Sequence, residues 1–129
     1  MTDPFTTALG TSASAMRAQG TRIRIVTENI ANADTPGFQR KQLSFEASGD
    51  TRKPGVDIKR IFADDAPLRQ SYEPGHPLAD ANGYVLSSNV NPLIELADFR
   101  QAQRSYEAST SMFEQARSLY QRTIDLLRR

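Results

Sequence analysis

Apolar side chains recur at steps of three and four from Asp3 to about Asn32: Phe5, Leu9, Met16, Ile23, Val26 and Ile30. Leu9, Met16, Ile23 and Ile30 stand seven apart, with Phe5 and Val26 on a companion row, so the stretch reads as one long helix with a heptad seam. Ser12 and Gln19 leave polar gaps in the companion row. Thr2 or Asp3 supplies an N-cap, and Pro4 suits a first turn, where its missing N–H is not needed. Beside the seam runs a strip of small residues: Ala8, Gly10, Ala13, Ala15, Ala18 and Gly20. A glycine inside a helix costs about 1 kcal/mol against alanine. The return expected for Gly20 is close approach by a neighbouring helix. A second helical stretch opens at Asn91-Pro92, a cap and first-turn pair. Phe99, Tyr106, Phe113, Tyr120 and Leu127 then recur at strict sevens, beside a more polar row of Leu96, Gln103, Thr110, Arg117 and Ile124. At 1.5 Å per residue the helices would run about 43 Å and about 55 Å.

Between them, from Thr35 to Asn89, the pattern changes. Five of the seven prolines fall here, and Thr35-Pro36-Gly37-Phe38 must end the first helix. Short β-like pieces follow: Gln42 to Phe45, Val56 to Phe62, and Leu68 to Tyr72, the last a partner for Val56 to Phe62 across the turn at Asp64 to Pro67. Pro74-Gly75-His76-Pro77 and Asn82-Gly83 are turns, the latter leading into Tyr84-Val85-Leu86. Gly49 to Gly55 reads as a polar, mobile loop. The expected fold is therefore mainly α. Long N- and C-terminal helices form a coiled-coil-like pair around a small β-rich or irregular middle, divided as residues 1–34, 35–89 and 90–129. An intramolecular hairpin core would suit such stripes, but two helices alone leave much of each seam uncovered. Packing against other chains is the better account.

Composition sharpens this picture. Leu, Ile, Val and Phe number only 27 of 129 residues, close to the border below which chains tend to disorder, so partners would help bury the seams. Lys and Arg number 16 against 15 Asp and Glu, which gives no reason to expect nucleic-acid binding. Cysteine is absent, excluding disulfides, thiolate metal sites and Cys nucleophiles. No apolar run would span a bilayer, and Met1 to Gly10 lacks the basic start and apolar core of a Sec-type signal peptide.

Catalytic chemistry finds no constellation. The single histidine, His76, sits in a Gly-Pro turn and reads as a turn residue. Asp64-Asp65 reads as a pair of solvated turn carboxylates. Asn29, Asn32, Asn89 and Asn91 read as capping and turn residues at the helix ends. There is no phosphate-cradling loop, HExxH pair or nucleophile elbow. No enzyme activity, cofactor, metal or small-molecule substrate is expected.

Asn29-Ile30-Ala31-Asn32-Ala33-Asp34-Thr35-Pro36-Gly37-Phe38, with Met16-Arg17-Ala18-Gln19 and Arg22 upstream, resembles the N-terminal signature of the flagellar rod and hook axial proteins. Glu95-Leu96-Ala97-Asp98-Phe99 and Ala102-Gln103-Arg104-Ser105-Tyr106-Glu107-Ala108 resemble the C-terminal signature of the same family. The middle, with Tyr72 to Asp80, Gly83-Tyr84-Val85 and Ser88-Asn89-Val90-Asn91, is similar to that of the proximal-rod members, whose central region is small. Ser109 stands where the family usually has Asn.

The resemblance implies a structural subunit of the basal-body proximal rod, a hollow helical tube that transmits torque. Its partners would be other copies of itself, other rod proteins and the flagellar type III export apparatus. It would be exported from the cytoplasm without a cleaved signal peptide and would work in the periplasmic rod. The expected assembly seams are Leu9, Met16, Ile23, Val26 and Ile30 in the first helix. In the second they are Leu96, Phe99, Tyr106, Phe113, Tyr120, Ile124 and Leu127. The motif residues carried over are Asn29, Asn32, Thr35, Gly37, Asn89, Asn91, Glu95, Asp98, Arg104, Tyr106 and Glu107. The alternative is a soluble coiled-coil adaptor or export chaperone, which would not need the Pro- and Gly-punctuated middle.

Overall fold

A computed structural model describes residues 3–129. Helix α1 spans Pro4–Ala31 and helix α2 spans Pro92–Leu127, together about half of the chain. The N-cap of α1 is Asp3, whose carboxylate accepts from the Phe5 N–H at 3.4 Å; Thr2, the other expected cap, lies outside the described residues. Asn91 caps α2 by accepting from the Leu93 N–H at 3.1 Å. At the far end of α1, Asn32 closes the last turn through its own amide to the Glu28 carbonyl, 2.8 Å. Gly37, at φ +75°, then turns the chain and donates to the Leu86 carbonyl at 3.0 Å. Only glycine takes that conformation without strain.

The helices lie side by side and antiparallel. The Phe5 ring lies tilted against Tyr120 at 6.2 Å, Gly20 faces the Tyr106 ring, Arg22 pairs with Asp98, and Asn29 meets Glu95. The expected close approach at Gly20 is to this ring: a Cβ there would sit 3.8 Å from Tyr106 Cε2, an ordinary contact.

The middle holds four strands: β1 (Lys41–Ala47), β2 (Val56–Ala63), β3 (Gln70–Tyr72) and β4 (Tyr84–Leu86). Their pairing corrects the sequence expectation. β2 pairs antiparallel with β1, not with the segment at Leu68–Tyr72, and β3 pairs with β4. The physical reason lies in the connections. Arg40 N, at the start of β1, and the carbonyls of Asp64 and Ala66, just after β2, all bind the Asn89 side chain. That amide turns the 64–67 stretch away from β2 and on towards β4. Gly49 to Gly55, expected to be a free loop, instead closes the β1–β2 hairpin and docks on α1. Thr11 donates to the Pro54 carbonyl at 2.9 Å, and the Val56 N–H donates to Ser14 Oγ at 3.1 Å. Both β1 and β2 pack on α1, whereas α2 packs on α1 alone.

Two glycines should respond in opposite directions to alanine. At Gly20 the added methyl fits beside Tyr106, so Gly20→Ala should stabilise the fold by up to about 1 kcal/mol. At Gly55 it would lie 2.4 Å from Ser14 Oγ, which is held between Val56 and Thr11. Gly55→Ala should therefore cost roughly 1–3 kcal/mol through overpacking. Urea midpoints of the two variants, followed by helical circular dichroism, check both signs.

Candidate assembly surface

Large apolar residues at sevens predict the helix axis and length, but the buried line of the α1–α2 contact runs one step away from them. On α2 it is Glu95, Ala102 and Ala116, with half-buried Ser109 between, again seven apart. On α1 the buried residues are Ser12, Ser14, Ala18, Ile25, Val26 and Asn29, of which Ser14 is turned to the β1–β2 hairpin and Asn29 meets Glu95. Small side chains let the two backbones approach, and the large ones are left at the margins or outside. Of the expected α1 seam, Val26 is buried, Leu9, Met16 and Ile23 are half-buried, and Ile30 is exposed. Of the expected α2 seam, Phe99, Phe113 and Ile124 are half-buried, while Leu96, Tyr106, Tyr120 and Leu127 are exposed. A further row, Met112, Leu119 and Leu126, also stands seven apart and faces solvent at 63%, 52% and 68% exposure. Nine large hydrophobic residues of α2 are exposed, against Ile30 alone on α1. The difference follows from the packing: α1 is covered by α2 on one side and the β1–β2 hairpin on another.

The motif residues converge on a polar node at the start of α2. Glu95 is fully buried, yet its carboxylate pairs with the Arg40 guanidinium and accepts from Asn29 Nδ2 at 3.2 Å. Asn29, also fully buried, clamps the Lys41 backbone on both sides of its Cα: Nδ2 donates to the carbonyl and Oδ1 accepts from the N–H, each at 2.9 Å. Asn29 and Asn89 are thus long-range ties rather than the capping residues their positions suggest, whereas Asn32 and Asn91 do cap. Asp64 is likewise no solvated turn residue. It accepts from Gln42 Nε2 at 2.7 Å and lies 3.5 Å from Arg40 Nη1, while Asp65 is exposed. His76 is the expected turn residue, its Nδ1 accepting from the Leu78 N–H at 3.0 Å.

Thr35 Oγ1 donates to Asn32 Oδ1 at 3.2 Å, and Asp98 pairs with Arg22. Arg104 and Glu107 are not brought to the node: both face outward, with no ion pair among the described residues. Periodicity does not reveal Arg40, Lys41 or Asp64, because they lie in strand and loop. The signal that points to them is Glu95 itself, an acid in register with Ala102 and Ala116.

The electrostatics bear on stability. Burial opposes the Arg40 charge, but the hydrogen bonds and attraction of Glu95 and then Asp64 outweigh it, so its pKa lies above the ordinary value. The Ala66 N–H foremost, then Gln42 and Arg40, hold the Asp64 carboxyl below its ordinary 3.8. A hydrogen bond from Lys41 lowers Glu28 from its ordinary 4.5. Carboxyls depressed on folding contribute stability that is complete above the unfolded pKa and lost as pH falls through the folded one. Stability should thus be flat in this respect at neutral pH and fall below roughly pH 4.5. Asp64→Asn with Glu28→Gln should flatten that acid limb in urea titrations. Glu95→Ala leaves Arg40 with Asp64 alone and Asn29 Nδ2 without its acceptor, and should cost about 1–3 kcal/mol. Glu95→Gln, which keeps an acceptor, should lose measurably less in the same assay.

Residues 9–39 match the family described as flagella basal body rod protein, and residues 81–126 match the flagellar basal body rod FlgEFG protein C-terminal family. The chain is 44% identical to the flagellar basal-body rod protein FlgC of Agrobacterium fabrum, over 98% of this chain and 97% of that one. It is 35% identical to FlgC of Salmonella typhimurium and 32% identical to FlgC of Buchnera aphidicola, each over 88% of this chain and 90% of the relative. The two matches cover most of α1 and α2, with the exposed rows and with Asn29 and Glu95 of the node, and the chain belongs to the flagellar basal-body rod protein family, as a structural rod subunit rather than an enzyme.

Proposed function

We propose that this rod subunit assembles chiefly through the outer face of α2, which pairs with helices of neighbouring subunits in coiled-coil fashion to build the proximal rod. The observation that carries this is the asymmetry of exposure, nine large hydrophobic residues on α2 and one on α1. A soluble monomer seldom leaves so many large apolar side chains of one helix uncovered. The half-exposed seam of Leu96, Phe99, Tyr106, Phe113, Tyr120, Ile124 and Leu127 and the outer row of Met112, Leu119 and Leu126 together form that face. Leu9, Met16, Ile23, Val26 and Ile30 of α1 mainly hold the hairpin together, with Ile30 free for a neighbour. In this reading the terminal helices form one core unit and residues 35–89 brace it. The motif positions act through the node, which sets the register of the helices, while Arg104 and Glu107 face neighbours. The partners are further copies of the chain, other rod proteins and the flagellar type III export apparatus. The last carries the subunit from the cytoplasm to the periplasmic rod.

Met112 and Leu119 allow a test in which folding and assembly separate. Each is more than half exposed, so an aspartate there stays hydrated in the free subunit. In a subunit contact the same carboxylate would be buried unpaired, at a cost of several kcal/mol repeated at each copy. Met112→Asp and Leu119→Asp should keep the parent's circular dichroism and be secreted normally, yet yield no hook-basal bodies by electron microscopy. Ile23→Asp should instead lower the stability of the isolated chain. Normal basal bodies in both α2 variants would show that the outer face is not the assembly contact.

A further inference from the structure

Assembly gives no role to the turn at Asn82-Gly83. Of the five asparagines, Asn82 alone precedes glycine; the others are followed by Ile30, Ala33, Val90 and Pro92. That order matters chemically. The backbone nitrogen of the residue after an asparagine can attack the asparagine Cγ, and a side chain on the attacking residue hinders the approach. Gly83 has none. Asn82 is exposed, and its only hydrogen bond among the described residues is made by its backbone N–H, so its side-chain amide is open to attack.

In the folded chain the nucleophile is already engaged. The Gly83 N–H donates to the Asp80 carbonyl at 3.0 Å, and Gly83 is buried. Asp80 Oδ1 accepts from the Asn82 N–H at 2.8 Å and from the Tyr84 N–H at 2.9 Å, which fixes the chain on both sides of Gly83. The Asp80 N–H donates to the Tyr84 carbonyl and the Glu73 N–H to the Gly83 carbonyl, each at 2.9 Å. Glycine is required here. Gly83 stands at φ +83°, and a Cβ would lie 2.9 Å from Tyr72 Cε2 and 3.1 Å from Pro74 Cβ. The residue that this turn demands is the one that makes Asn82 reactive, and the turn itself shields it.

We propose that Asn82 is a site of spontaneous deamidation gated by this turn, closed in the folded subunit and open whenever the β3–β4 hairpin comes apart. The Gly83 N–H gives its proton to a base in solution, and the nitrogen bonds to Asn82 Cγ. The Cγ–Nδ2 bond breaks, Nδ2 takes up a proton and ammonia leaves, closing a succinimide ring. Water then adds to either ring carbonyl and one ring C–N bond breaks, giving aspartate or isoaspartate. In sum one water is consumed and one ammonia released. Isoaspartate routes the main chain through a former side-chain methylene, so the Gly83 N–H no longer reaches the Asp80 carbonyl in register with Tyr72 opposite Tyr84. A chain modified while unfolded then closes this hairpin poorly, and the site records time spent unfolded. The inference goes beyond the rod-subunit reading and does not rest on it.

The test incubates the purified full-length chain at mildly alkaline pH, folded in buffer and unfolded in guanidinium chloride, and follows the peptide carrying Asn82 by mass spectrometry. The unfolded chain should gain about 1 Da at Asn82 and give separate aspartate and isoaspartate peaks on chromatography. The folded chain should react about tenfold more slowly or slower still, because only its open fraction exposes the Gly83 N–H. Asn82→Gln should show no gain at this position in either state. Asp80→Ala removes the acceptor for two N–H groups and should speed the folded chain several-fold, with helical circular dichroism unchanged. Asp80→Ser keeps a weaker acceptor and should fall between. Equal rates in the folded and unfolded parent would overturn the gate. No gain at Asn82 in guanidinium would overturn the site. An Asp80→Ala chain that reacts at the folded parent's rate would overturn the part given to the Asp80 carboxylate.

Discussion

Glu95 is a carboxylate with no exposed surface, and a charge in that position must be met by an opposite charge and by donors. Its partners arrive from two other parts of the chain, Arg40 ahead of β1 and Asn29 near the end of α1. Meeting them fixes where three segments cross. From that point the ties spread outward: Asn29 to Lys41, Arg40 to Asp64 and Asn89, Asp64 to Gln42. The node also supplies what the helix contact lacks. A line of Ala18, Ala102, Ser109 and Ala116 is smooth, and smooth surfaces slide. Moving α2 by one residue would shift Glu95 by about 1.5 Å and turn it by roughly 100°, parting it from Arg40 and Asn29. Arg22 with Asp98, nearly one turn along α2 from Glu95, would be broken by the same slip.

A hairpin made through small residues has a second consequence. The backbones come close, so the large residues flanking the line are pushed out from between them. Tyr106 and Tyr120 show the effect: each lies over α1, at Gly20 and Phe5, and each still keeps more than a third of its surface exposed. The free subunit therefore gains little from its largest side chains. What is missing from its own core stays on the surface of the subunit.

The sequence made the helices legible because their signals are local and repeated. Pro4, Pro92, Asp3 and Asn91 mark the starts, Pro36-Gly37 ends α1, and the sevens run through both. The strands were legible as segments, since alternation is local too, but their partners were not. Pairing of β1 with β2 depends on Asn89 gathering both ends of that hairpin, a contact between residues far apart in the chain. The period of seven was legible, but which row the subunit itself buries was not. Periodicity favours the row with the largest side chains, whereas the hairpin selects the row that allows the closest approach. Asn29 shows the same limit at one residue: a helix-end asparagine looks like a cap until its neighbour in space is Glu95.

The middle region then has a definite mechanical part. From Ser14 to Asn29 α1 rises about 22 Å, and seven residues of extended strand from Lys41 cover about 23 Å. The hairpin is held at both limits of that span, by Asn29 at Lys41 and by Thr11 and Ser14 at Pro54 and Val56. Matched in length and pinned at each end, it lies along α1 as a brace. The brace occupies a flank of α1 and no part of α2. A larger insertion is not needed to create a one-sided subunit. Covering one helix is sufficient, because the other then keeps apolar side chains exposed away from its contact with α1.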